Sequence, residues 1–411
     1  MEKAILVTVD LKEKGGWGLE DRARELRELA FSGGASIEGE LLCRREKPTP
    51  DLFVGKGKFE ELVLLCRAKG ADVVIFNNDL TPIQLRNLEK GLGGMKVIDR
   101  TQLILDIFAQ RAKSVEGKLQ VELARLEYAL PRLTGRGVQL SRLGGGIGTR
   151  GPGEKILEYD RRRIRDRVAR LKIKLKDVER RREALRKRRG DALLTTVAII
   201  GYTNAGKTTL LNRLTNSNKL TADKLFSTLD PVARTYVMPN KQKVLFLDTV
   251  GFLYDLPHNL VEAFKSTLEE VSMADILLHV LDASNKQVRQ QEKAVREVLA
   301  ELNAKNKIIV NVLNKTDLAS EASSIKRLSG DFKDAVAVSA LKGEGMENLI
   351  EELSCLLSGL ITEVKIEIPR DRMDKLSLIY ENGKVRYRED RAGSIYVEAT
   401  VPVRLKDALL S

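Results

Sequence analysis

The stretch Thr196–Leu214, TVAIIGYTNAGKTTLLNRL, decides the fold. Thr196 to Ile200 read as a buried strand, Gly201 to Thr208 fit the spacing GxxxxGK[ST], and Thr209 to Leu214 continue as a helix. In that strand–loop–helix order the glycines let the backbone curl, so that several N–H groups and a helix N-terminus face a chain of phosphates. Lys207 would neutralise the β- and γ-phosphate oxygens, and the Thr208 hydroxyl would bind Mg²⁺. The candidate phosphate-side contacts are Gly201, Tyr202, Thr203, Asn204, Ala205, Gly206, Lys207, Thr208 and Thr209.

Working outward, a second strand-like run, Val244 to Leu247, ends at Asp248-Thr249-Val250-Gly251. That carboxylate can hold Mg²⁺ through water, and the glycine amide can bond a γ-phosphate, so the segment can sense whether that phosphate is present. Between the two motifs, in Phe226-Ser227-Thr228-Leu229-Asp230, Thr228 stands where a switch threonine completes the Mg²⁺ coordination. A third strand, Ile308 to Leu313, ends at Asn314-Lys315-Thr316-Asp317. Asp317 can accept two hydrogen bonds from the N1–H and 2-amino group of guanine, a pair adenine lacks. Lys315 would lie along the base, and Ser339-Ala340-Leu341 would offer a backbone N–H to its O6.

Five motifs in this order, with the phosphate and base motifs after strands, imply an enzyme that binds GTP and GDP with Mg²⁺ and hydrolyses GTP. Lys207 and Thr228 are the candidate catalytic residues, and Thr208 and Thr228 the candidate metal ligands. Phe252 follows Gly251 where a glutamine would orient the attacking water, so hydrolysis by the isolated chain is expected to be slow. His258 falls in an expected loop and is read as structural or partner-facing, and His279, inside the apolar run Ile276 to Leu281, as a core residue.

The 411 residues are 43% hydrophobic and 31% charged, which supports several globular cores rather than disorder. Cys43, Cys66 and Cys355 lack metal or disulfide spacing and are expected in cores. Neither a secretory signal nor a membrane-length apolar run is present, so the chain is expected in the cytoplasm, in part at a membrane surface but without stable insertion.

The net charge is +13, and residues 150–190 alone hold 18 Lys and Arg against 7 Asp and Glu. Such a block is the footprint of a nucleic-acid or anionic partner, or a solvated helical face. Leu157, Ile164, Val168, Leu171, Leu175, Val178 and Leu185 fall at heptad positions there, with Arg161 and Arg182 filling two more. Leu119, Leu123, Leu126 and Leu130 form an earlier helical stripe that Pro131 ends. The two helices read as a hairpin, and its tip, Gly135 to Gly153, has eight glycines among Arg136, Arg142 and Arg150, suited to a phosphate backbone.

The expected architecture is α/β throughout: an N-terminal α/β domain (1–114) in βαβ rhythm; a basic, coiled-coil-like helical hairpin with its Gly-rich loop (115–192); a P-loop GTPase domain (193–360); and a small C-terminal α+β domain (361–411). Strands are expected at Ala4 to Val9, Leu52 to Val54, Asp72 to Phe76 and Lys96 to Ile98. Gly55-Lys56-Gly57-Lys58 could bring backbone N–H groups and two ammoniums to a phosphate, but it lacks P-loop spacing and reads rather as a plain turn.

Gly201 to Lys207, Phe226 to Pro231, Asp248 to Phe252 and Asp255-Leu256-Pro257-His258 resemble the HflX GTPases of the Obg/HflX superfamily. Ser141 to Glu154, Asp160 to Ile164 and Val54 to Lys58 resemble them as well; Lys155 stands where that family usually has Thr or Ser. The resemblance covers roughly residues 1 to 360 and weakens in the tail. It implies binding to the large ribosomal subunit and its rRNA, with the hairpin tip near the peptidyl transferase centre, and the splitting or rescue of stalled ribosomes. A monomer that does not bind DNA is expected. The competing reading is a GTPase switch that regulates a non-ribosomal protein or membrane partner.

Overall fold

The computed structural model describes residues 1–11, 17–133, 152–191, 195–216, 225–226, 232–239, 242–254, 265–304, 306–319, 322–333, 335–359 and 361–410. These separate into two compact units, residues 1–178 with Asp223–Leu229 and Leu256–Lys265, and Glu179–Ala222 with Asp230–Asp255 and Ser266–Ser411.

The first unit alternates β1 (Lys3–Asp10), α1 (Leu19–Ser32), β2 (Ser36–Arg44), α2 (Lys56–Lys69), β3 (Val73–Phe76), α3 (Pro82–Gly91), β4 (Lys96–Ile98) and α4 (Arg100–Arg111). The strands pair in parallel in the order β2-β1-β3-β4. Ile5, Val7, Val74 and Phe76 from the sheet meet Leu62 and Leu88 from the helices in one hydrophobic core. Local chemistry sets the helix starts: Thr81 and Gln84 cap α3 reciprocally with Pro82 in its first turn, and Asp99 accepts the Gln102 N–H at the start of α4.

The expected strand at Leu52 to Val54 is instead a turn, closed by a bridge between Thr49 and Phe53, with Phe53 at a φ of 65°. The second strand is Ser36–Arg44, which sequence patterning passed over. It lies at the sheet edge and is mostly half-buried; Ser36, Glu38 and Glu40 alternate with Ile37 and Leu41, but Gly39 thins the apolar face and Leu42 falls on the polar one, which blurs the pattern that marks a strand. The Gly55–Lys58 segment is the start of α2, with Lys58 paired to Glu61 at 2.7 Å.

Helix α5 (Val115–Ala129) passes into a 3-10 turn at Leu130–Leu133, as Pro131 removes an amide donor. Its deepest face is Gly117, Gln120, Val121, Ala124 and Tyr128; of the expected leucine stripe only Leu123 is buried. The Tyr128 hydroxyl donates to Asp99, and Arg125 pairs with Asp106 at 3.1 Å, so part of the helix surface is committed to α4. The long helix α6 (Pro152–Asp191) meets α5 through Arg167–Glu122 at 2.7 Å and Lys172–Glu127 at 2.8 Å. From Glu158 to Arg181, Arg161, Ile164, Val168, Leu171, Leu175 and Val178 are buried or half-buried and every other residue is exposed. Within these bounds that is the heptad stripe read from the sequence; the side chains of Leu157, Arg182 and Leu185 lie outside the described residues. The Gly-rich tip lies outside the described residues apart from Pro152 and Gly153.

In the second unit β5 (Thr195–Gly201), α7 (Lys207–Leu214), β6 (Val232–Val237), β7 (Lys243–Asp248), α8 (Lys265–Met273), β8 (Ile276–Asp282), α9 (Val288–Glu301), β9 (Ile308–Asn314), α10 (Ala322–Asp331), β10 (Ala335–Ala337) and α11 (Met346–Ser358) follow in turn. The sheet order is β10-β9-β8-β5-β7-β6, parallel except for the β6 edge. After it come β11 (Ile361–Pro369), α12 (Met373–Asn382), β12 (Lys384–Asp390), β13 (Ser394–Pro402) and α13 (Val403–Leu410). The last three strands form an antiparallel sheet in the order β11-β13-β12 around a core of Ile368, Ile379, Val397, Val401 and Leu405. Among the described residues, no helix is long and apolar enough to cross a membrane. Cys43 and Cys66 are buried as expected, whereas Cys355 is exposed.

Candidate nucleotide site

Strands β5, β7, β8 and β9 end at Gly201, Asp248, Asp282 and Asn314, so the sheet brings the chemistry of distant motifs to the carboxyl ends of its strands. This crevice is where open α/β sheets hold ligands.

Gly201 adopts a φ of 148° and Gly206 a φ of 93°. A Cβ at Gly201 would overlap the Val280 carbonyl, and one at Gly206 the Asn314 amide, so neither position admits a side chain. Beyond the loop, Leu210, Leu211 and Leu214 seat α7 on the core formed with Val197 and Ile199. The Lys207 ammonium is turned into the loop, donating to Gly201 O at 3.1 Å and Tyr202 O at 2.7 Å. Burial pulls its pKa down to about 8; the Lys315 charge adds to this and the Asp248 carboxylate opposes it.

Thr208 Oγ1 donates to Asp248 Oδ2 at 2.7 Å. A hydroxyl and a buried carboxylate this close are hard oxygen donors of the kind Mg²⁺ takes, and the donor set fits that ion. The Asp248 segment is laced to the loop: Thr203 N–H donates to Phe252 O at 2.8 Å, and Phe252 N–H to Gly201 O at 3.1 Å. A Cβ at Gly251 would stand 2.8 Å from Thr203 Cα, so only glycine allows this approach. The Phe252 ring is itself buried and offers water no hydrogen bond.

On the base side, buried Asn314 donates to Ala205 O at 2.9 Å and accepts the Ala340 N–H at 3.0 Å, joining the phosphate loop to the base loop. Ser339 Oγ donates to Asp317 Oδ1 at 2.6 Å. Lys315, at a φ of 63°, reaches Asp282 Oδ2 at 2.8 Å. Sequence reading missed Asp282, which carries no motif; its place at the end of a strand in the same sheet was the available signal.

Phe226, at a φ of 55°, packs its ring edge-on to Phe108 at 4.5 Å between centroids, and Leu225 N–H donates to Ser32 Oγ at 3.1 Å, both within the first unit. The Phe226 side chain is thus spent on packing. Ser227, Thr228, Leu229, Asp230 and His258 lie outside the described residues. His279, in mid-β8, is buried and its pKa is pushed down to about 3, chiefly by burial.

A model of 50S ribosome-binding GTPases matches residues 196–315, and models of the N-terminal and middle regions of GTP-binding GTPases match 20–109 and 111–189. The HflX C-terminal domain model matches 324–408, so the tail, where the sequence resemblance weakens, is also of this kind. The GTPase HflX of Caldanaerobacter subterraneus subsp. tengcongensis is 45% identical over 408 residues, 99% of this chain and 93% of that one. The GTPase HflX of Escherichia coli is 40% identical over 404 residues, 98% and 94% of the two chains. The chain belongs to the HflX GTPase family. HflX GTPases bind and hydrolyse GTP, and the P-loop domain described above is the seat of that activity here. Among solved structures, a GTP-binding protein from Sulfolobus solfataricus in complex with GDP aligns over 88% of this chain and all of that one, at 23% identity and a TM-score of 0.46. At that distance no residue role is carried across.

Proposed function

We propose that this GTPase is a cytoplasmic factor that engages the large ribosomal subunit, laying α6 along rRNA, and that GTP hydrolysis drives its part in splitting or rescuing stalled ribosomes. The observation that carries this reading is the one-stripe burial of α6. Between Glu158 and Arg181 the apolar residues are confined to that stripe, except Tyr159, Ala169 and Ile173, and Arg162, Arg163, Arg165, Arg170, Lys174 and Lys176 stand in solvent. A helix wet on most of its circumference and this basic is suited to phosphates rather than to a protein core.

In the nucleotide site, the motif glycines and the Lys207 ammonium bind the phosphates, while Asp317 and the loop at Ser339 to Leu341 read guanine. Mg²⁺ would be held by Thr208, by Asp248 through water and by Thr228, and when bound it neutralises charge on the β- and γ-phosphate oxygens. The Lys207 ammonium gives two of its three N–H donors to the Gly201 and Tyr202 carbonyls, which leaves the third for those oxygens. Buried Phe252 positions no water, so docking to the subunit accelerates hydrolysis by setting the switch groups, Thr228 and Asp248 among them, against the phosphates.

The test is binding to isolated large subunits over a salt series, with Arg162, Arg163 and Arg165 changed to Gln together. The slope of log affinity against log salt is expected to fall by about one for each phosphate that the altered helix no longer neutralises, with GTP affinity unchanged. A slope that stays the same, or binding that survives nuclease removal of the rRNA, would move the basic helix to a protein partner.

A further inference from the structure

The guanine-reading loop is held from a direction that the nucleotide motifs do not include. Arg213 lies in the last turn of α7, the helix that begins with Lys207. Its Nε donates to Ala340 O at 3.1 Å, and its Nη2 donates to Leu341 O. The guanidinium lies against Gly343, where a Cβ would stand 3.4 Å from Cζ. The Leu341 side chain does little to steady this part of the loop, since it is 69% exposed.

A trans peptide is a rigid plane in which C=O and N–H point in opposite directions. Fixing Leu341 O toward α7 therefore aims the next N–H, that of Lys342, the other way. That N–H donates to Ser339 Oγ at 3.1 Å, and the same hydroxyl donates to Asp317 Oδ1 at 2.6 Å. The linkage runs from Arg213 through the Leu341–Lys342 peptide and Ser339 to Asp317. Fixing Ala340 O in the same way sets the direction of the Leu341 N–H.

We infer that Arg213 is a positioning residue for guanine selectivity: it sets the Asp317 carboxylate and the base loop at a fixed distance from the phosphate-binding helix. The inference rests on reading Asp317 and Ser339 to Leu341 as the base contacts. Arginine suits the task because its planar fork can hold two carbonyls at once, which the single ammonium of lysine cannot do with the same geometry.

The experiment compares R213A, R213K and D317A in the full chain, measuring binding of GDP, of inosine diphosphate, which lacks the 2-amino group, and of magnesium pyrophosphate. Loss of a charge-assisted pair should weaken GDP binding by R213A roughly tenfold, inosine diphosphate by only about threefold, and pyrophosphate hardly at all. R213K should fall between R213A and the wild type. Equal losses for all three ligands, or no loss, would overturn the inference, equal losses marking a merely structural residue. If D317A leaves the preference for GDP over inosine diphosphate intact, the base reading itself fails; if D317A abolishes that preference and R213A leaves it unchanged, only the role of Arg213 fails.

Discussion

Raising the pH from 7 to 9 should weaken nucleotide binding through one side chain. Without phosphate nearby, Lys207 is buried with its pKa lowered to about 8, and a phosphate chain can be neutralised only by the protonated amine. The protonated fraction is about 0.9 at pH 7 and about 0.1 at pH 9, so the apparent Kd for GDP should rise about tenfold, equivalent to about 1.4 kcal/mol. The bound phosphates hold the amine charged, so binding at pH 8 should take up about half a proton, against about a tenth at pH 7. Calorimetry in buffers of different ionisation enthalpy reads that number directly and separates it from titration of the guanine ring near the top of the range. Zero uptake at pH 8 with a flat Kd would refute the argument. The sign for stability of the nucleotide-free chain is opposite. The unfolded lysine binds more protons than the folded one between about pH 8 and 10.5, so this residue adds about 1.4 kcal/mol of stability per pH unit as pH rises through that window.

At the acid end, His279 stays neutral in the fold down to about pH 3, while the unfolded imidazole protonates below about 6.5. Its contribution to stability is therefore lost at about 1.4 kcal/mol per unit as pH falls through that interval, and in H279L the acid limb of denaturant-derived stability should be flatter; an unchanged limb would count against a buried neutral ring. In the first unit, a double-mutant cycle on Phe108→Ala and Phe226→Ala should give a coupling of about 0.5–1.5 kcal/mol for the edge-on pair, measured by chemical denaturation; strictly additive losses would mean that the rings do not meet in solution.

The GTPase domain was legible because each of its motifs obeys a local rule. Gly201 and Gly206 occupy backbone that excludes a Cβ, Lys207 and Thr208 open a helix, and Asp248 and Asn314 close apolar strands. The stripe of α6 was legible for a similar reason, since a solvated helix with one covered seam must repeat its apolar residues every three or four positions. Elements with weak periodicity escaped. The edge strand Ser36–Arg44 carries polar residues on its half-covered faces, and Leu52 to Val54, apolar enough for a strand, turns at Phe53 instead. Contacts that cross between motifs were illegible in principle. Nothing in the order of residues says that Asp282 will meet Lys315 or that Arg213 will reach the Ala340 carbonyl; both follow from which strand ends and helix turns the sheet makes neighbours. The edge-on contact of Phe226 with Phe108 is of the same kind, since it joins residues more than a hundred positions apart.

The most direct measurement is GTP turnover by the full chain, alone and with isolated large ribosomal subunits, with ATP as the control. Slow basal GTP hydrolysis is predicted, with a strong and saturable increase on adding the subunit and no response with ATP. Basal turnover that the subunit leaves unchanged would contradict the ribosomal role.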